Sequence, residues 1–84
     1  VKKGGFYKLS EGQPGSTVLG ITPAGDNLLV IRTVHGMAPP IAYKIDEAKI
    51  DGVVGTIAGE DTIFVAIRSD ASIGRIRQVL AAKI

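Results

Sequence analysis

Eighty-four residues with 45% hydrophobic and 21% charged side chains describe one folded domain and exclude a disordered chain. The absence of Cys excludes disulfides and thiolate metal sites, the single His cannot build a metal site without carboxylates, and a net charge of +2 is too small to mark a nucleic-acid surface. A chain this short buries only about 60% of the surface that it exposes when unfolded, so self-association is an expected source of stability.

The opening residues, Val1-Lys2-Lys3-Gly4-Gly5-Phe6-Tyr7-Lys8-Leu9-Ser10, read as a basic strand end, a Gly-Gly turn and a short strand. Glu11-Gly12-Gln13-Pro14-Gly15-Ser16 is a linker by composition. The sequence therefore reads as the tail of one module joined to the whole of another. Thr17 to Thr22 forms a strand, Pro23-Ala24-Gly25-Asp26-Asn27 a turn, and Leu28 to Thr33 a second strand. Val34-His35-Gly36-Met37 is a loop in which His35 is assigned no chemistry. The residues before Pro39 and Pro40 are biased away from helix, and Pro40 suits a first helical turn. Ile41, Ala42, Ile45 and Ala48 then make an apolar stripe, with Asp46 beside it and Tyr43 free to serve an interface or a ligand.

Two apolar runs, Val53 to Ala58 and Ile63 to Ile67, flank Gly59-Glu60-Asp61-Thr62, the pattern of a β-hairpin with a polar tip. The tip is either a solvated turn or a place where Gly55 and Gly59 let a ligand or another chain approach paired carboxylates. Ser69-Asp70-Ala71-Ser72 supplies cap residues for a last helix from about Ile73 to Lys83, with an apolar face of Ile73, Ile76, Val79, Leu80 and Ile84. The order ββαββα predicts an α+β domain, a four-stranded and mostly antiparallel sheet with two helices on one face. Leu28-Leu29-Val30-Ile31 and Ile63 to Ile67 are apolar at every position, as in strands buried on both faces. Two helices cover one face only, so the other is expected to meet further copies of the chain.

Asn27-Leu28-Leu29-Val30-Ile31-Arg32-Thr33, Gly36, a helix carrying Asp46 and the run Val54-Gly55-Thr56-Ile57-Ala58-Gly59-Glu60-Asp61-Thr62 together resemble the C-terminal domain of the bacterial arginine repressor family. The likeness extends from about residue 16 to residue 84. Gly5 to Ser10 is similar to the last wing strand of that family's winged helix-turn-helix, which makes residues 1–10 a DNA-binding remnant, 11–16 a linker and 17–84 the arginine-binding and oligomerisation domain.

The resemblance implies a homotrimer, two of which stack into a homohexamer with L-arginine, the corepressor, at the trimer–trimer interface. It assigns the guanidinium to Glu60 and Asp61, the α-amino end to Asp46, and the rest of the pocket to Thr56, Ala58 and Gly59. It further implies a cytoplasmic regulator of arginine genes that reaches operator DNA through an N-terminal domain and uses no cofactor. Two positions depart from the family pattern: Glu60 stands where Asp is usual, and Pro39 where some members carry Gln. An arginine-insensitive assembly module is the alternative. An enzyme using Glu60 and Asp61 as an acid/base pair is disfavoured, because no nucleophile, metal-ligand or phosphate-loop constellation accompanies them. No apolar run reaches the roughly 18 residues of a membrane helix.

Overall fold

A computed structural model describes residues 17–84; the wing remnant and the linker read over residues 1–16 lie outside the described residues. The elements are β1 (Val18–Pro23), β2 (Leu28–Thr33), α1 (Ala38–Ala48), β3 (Val53–Ala58), β4 (Thr62–Ile67) and α2 (Ile73–Lys83). The predicted order and class hold: the four strands form one sheet, every pairing is antiparallel, and the strand order is β1-β2-β4-β3.

Alternation decides which face of each strand is covered. Leu29 and Ile31 of β2 and Ile63, Val65 and Ile67 of β4 are buried in one cluster with Ile41 and Ile45 of α1 and Ile76 and Leu80 of α2. Their alternate neighbours are different. Val30 pairs with Phe64, and Phe64 with Ile57, on the other side of the sheet, where Phe64 is 50% and Ile57 75% exposed. The sheet thus carries a second apolar surface that the two helices leave uncovered.

Two local features were not visible as sequence patterns. The register of β3 against β4 shifts between Val53 and Gly55, so Val54 is an extra, exposed residue in a bulge. The bulge reverses the parity of the rest of the strand, bringing Thr56 and Ala58 opposite Val65 and Ile63 on the helix side. The second feature is the start of α1. Helix was expected from Pro40, but it begins at Ala38, with prolines in its first turn. A first turn has no intrahelical use for its N–H groups, so prolines lose nothing there, and the Ala38 N–H finds its acceptor outside the helix, in the Glu60 carbonyl at 3.2 Å.

α2 starts as expected. Ser72 Oγ accepts the Arg75 N–H at 3.2 Å as an N-cap. Just before it, Arg68 ties Asp70 to Asp51, and the hydrogen bond from Arg68 holds the Asp70 carboxyl below its ordinary value of 3.8. A depressed carboxyl stabilises the fold above that value and loses its contribution as pH falls through the lower native one. Melting temperatures of the parent chain and Asp70→Asn are therefore expected to differ by a constant amount above about pH 5 and to converge as the pH drops below the carboxylate range. A gap that persists into acid would show that the charge of Asp70 plays no part.

Candidate functional site

The hairpin tip between β3 and β4 is lashed to the loop between β2 and α1 by main-chain bonds. Thr33 N donates to the Asp61 carbonyl at 2.8 Å, and Gly36 N and Ala38 N both donate to the Glu60 carbonyl, at 2.9 and 3.2 Å. Gly59 N closes the tip on the Thr62 carbonyl at 2.8 Å. The Glu60 carbonyl therefore serves as an acceptor for the start of α1, whose N-cap residue Met37 makes no side-chain cap bond. The tip stands at the positive end of the helix dipole, which favours carboxylates there.

The two carboxylates are held differently. Asp61 is half exposed, accepts from Thr62 Oγ1 at 2.9 Å, and lies 3.7 Å from the Arg32 guanidinium. Glu60 is 75% exposed at its side chain and pairs with His35 Nε2 at 3.3 Å. Sequence reading gave neither Arg32 nor His35 a place near the acidic pair. Their proximity follows from β2 lying directly beside β4, a pairing between segments some thirty residues apart with Arg32 opposite Thr62.

Asp46 occupies the far end of the same edge. α1 leaves the tip and β3 returns to it, so Asp46, in the last turn of the helix, meets the middle of β3. Thr56 Oγ1 lies 3.1 Å from both carboxylate oxygens of Asp46. The bulge at Val54 is what puts Thr56 on that side of the strand. Beside this pair a cleft of about 360 Å³ opens between the end of α1 and the start of β3, lined by Asp46, Lys49, Gly55 and Arg68 among others. Such a volume is in the range of small-molecule sites.

Of the predicted site residues, the structure brings Asp46 and Thr56 into contact and places Gly59, Glu60 and Asp61 together at the tip. Ala58 follows Thr56 on the helix side. A Cβ built on Gly55 meets nothing within 4 Å, and one on Gly59 meets only the Thr62 carbonyl at 3.7 Å, so both backbones stand open to approach. The two acidic groups are separated by most of the length of α1: from Ala38 to Asp46 the helix rises eight residues, roughly 12 Å. Among the described residues, no three His, Cys, Asp or Glu side chains are grouped to hold a metal ion. Among the same residues, no helix is long and apolar enough to cross a membrane.

The family model described as the arginine repressor C-terminal domain matches residues 16–82. An arginine repressor of Thermotoga petrophila is 49% identical over 67 residues, covering 80% of this chain and 43% of its own length. One of Desulforudis audaxviator is 41% identical over 58 residues, 69% of this chain and 39% of the relative. A third, from Deinococcus radiodurans, is 56% identical over 45 residues, 54% of this chain and 29% of the relative. The chain spans less than half the length of these curated relatives. The chain belongs to the arginine repressor family and carries that family's C-terminal domain.

Proposed function

We propose that this domain senses L-arginine and assembles through it. The ligand's guanidinium is held by Glu60 and Asp61, its α-amino group by Asp46, and its remaining contacts come from Thr56, Ala58 and Gly59. The domain forms a trimer, and two trimers stack into a hexamer with arginine between them. In the full-length cytoplasmic protein, the hexamer controls arginine biosynthesis or catabolism genes by binding operator DNA through the winged helix-turn-helix.

The separation of the acidic groups along α1 is the observation that carries this reading. An extended arginine measures only ~7 Å from its α-amino nitrogen to its guanidinium carbon. With a hydrogen bond of about 3 Å at each end, its reach matches the ~12 Å along α1 between the acidic groups, and we place it at the interface, where facing protomers present these groups to each other. A ligand held that way stabilises the assembled state by mass action, and assembly raises its affinity by the same factor. The chemistry suits it: a guanidinium donates in a rigid fork to carboxylates, and a subunit interface excludes the water that would weaken the pair. The uncovered face around Val30, Ile57 and Phe64 supports self-association independently of the ligand.

Native mass spectrometry of the chain with and without millimolar L-arginine, with L-lysine and L-citrulline as controls, tests the proposal. The expected result is a shift from trimer to hexamer with arginine alone, with one ligand per protomer. An unchanged mass in every condition, with no bound ligand, leaves only an arginine-insensitive assembly module.

A further inference from the structure

Asp46 and Lys49 stand three residues apart at the end of α1 and line the same cleft of about 360 Å³, which reaches across to Arg68. Arg68 is committed elsewhere: its guanidinium ties Asp70 to Asp51 and so holds the loop before α2. Among the described residues the Lys49 ammonium has neither an ion pair nor a hydrogen bond, and the Asp46 carboxylate has only the Thr56 hydroxyl. The cleft therefore offers one carboxylate and one ammonium that border the same space without neutralising each other.

The backbone at Lys49 is a second sign. Lys49 closes α1 with its N–H on the Asp46 carbonyl at 3.3 Å, and it does so with φ of 49° and ψ of 53°. Such a left-handed cap usually falls to Gly or Asn, because a Cβ strains it. Among the described residues Lys49 is the one non-glycine held at positive φ. Strain kept under a side chain that lines a cleft points to a use for that side chain.

We infer that Lys49 binds the α-carboxylate of the ligand whose α-amino group Asp46 holds, so that the two residues together read the head group of a free amino acid. The inference rests on the arginine-sensing reading and deepens it, since that reading leaves the carboxylate without a partner. In an amino acid the ammonium nitrogen and the carboxylate carbon hang from one carbon, about 2.5 Å apart. Three residues along a helix axis span about 4.5 Å. An α-amino group bound at Asp46 thus leaves its carboxylate within reach of the flexible four-carbon stem of Lys49. Each charge of the zwitterion meets its opposite, and charge-assisted bonds of this kind are the strong ones. The acidic pair of the tip selects the guanidinium. Lys49 selects against a decarboxylated amine, which would leave its ammonium unanswered.

Agmatine, which is arginine without its carboxylate, and L-argininamide, in which the carboxylate is a neutral amide, test the assignment by calorimetry. The parent chain is expected to bind L-arginine at least about tenfold more tightly than either. Lys49→Met removes the ammonium, and Lys49→Gly removes it while fitting the left-handed backbone, so that variant keeps the fold. Both are expected to lose most of the preference, through weaker L-arginine binding at an unchanged agmatine affinity. A preference for L-arginine that survives in both variants overturns the inference and leaves arginine sensing intact. So does a change confined to the melting temperature, which is all that a lysine serving the helix dipole would produce. A parent chain that binds L-arginine and agmatine equally overturns it as well. A parent chain that binds none of the three compounds overturns the sensing proposal and this assignment together.

Discussion

Asp61→Asn combined with Glu60→Gln is expected to abolish the arginine-driven step of assembly while leaving the protomer folded. In the proposed site each substitution replaces a carboxylate that accepts from the ligand's guanidinium, and hydrogen bonds to charged groups contribute about 1.5–3 kcal/mol each, or ~10–100-fold in affinity. The two single variants should not be equal. Asp61 is half exposed and fixed by Thr62 Oγ1, so its carboxylate is already oriented. Glu60 is more exposed and has a longer side chain to order, so more of its interaction is offset by lost rotamer freedom. Asp61→Asn should therefore weaken arginine binding more than Glu60→Gln. Both substitutions spare the main-chain bonds of the tip, and the ion pairs removed are exposed ones worth about 0–1 kcal/mol. Circular dichroism should accordingly show an unchanged fold. Calorimetry with L-arginine reads the affinities, and a double variant that still binds arginine at parental strength would remove the acidic pair from the site.

Gly52→Ala is expected to be the most damaging change of a single methyl group in the domain. Gly52 is buried at the entry to β3 with φ of 98°, a conformation that costs an L side chain about 1–3 kcal/mol. A Cβ there would lie 2.7 Å from Ile76 Cδ1 and 2.9 Å from Ala71 Cβ. Crowding of that kind costs a further ~1–3 kcal/mol. The sum is a large share of the roughly 5–15 kcal/mol that holds an ordinary domain together. Urea denaturation should show a loss of about 3 kcal/mol or more. A second substitution separates the two causes. Ile76→Val removes the Cδ1 atom, so Gly52→Ala should cost less in that background, while the backbone component persists. Strict additivity of the two changes would rule out the steric contact.

Much of the fold was legible because local chemistry and periodicity agreed. Leu28 to Thr33 is a strand with the bounds read from sequence, and the cap at Ser72 and the apolar face from Ile73 to Ile84 lie where their spacing put them. The continuous apolar runs also carried a correct message: Leu29 and Ile31 face the helices, while Val30 looks to the opposite side.

What escaped is non-local. The bulge at Val54 has no composition of its own, yet it turns Thr56 toward Asp46. The start of α1 was read at Pro40 and lies at Ala38, because the acceptor for the Ala38 N–H is the Glu60 carbonyl, some twenty residues downstream. Arg32 and His35 gained their importance only when β2 was found beside β4. The resemblance named Glu60, Asp61 and Asp46 as ligand contacts, and the structure places the first two at the tip and the third at the far end of α1. It gave no sign that the acidic pair already has basic partners within the same protomer.

The lashing between the tip and the loop has a consequence for how this protein can change. Thr33, Gly36 and Ala38 bind the tip through N–H groups, and Asp61 and Glu60 answer through carbonyls, so the joint makes no use of the Glu60 and Asp61 side chains. Residues 35, 60 and 61 can be exchanged as letters on a fixed frame, with the charge presented at the tip rewritten and the frame kept. A library randomised at these three positions should therefore yield mostly folded proteins, which makes the tip a ready starting point for engineered sensors of other amines.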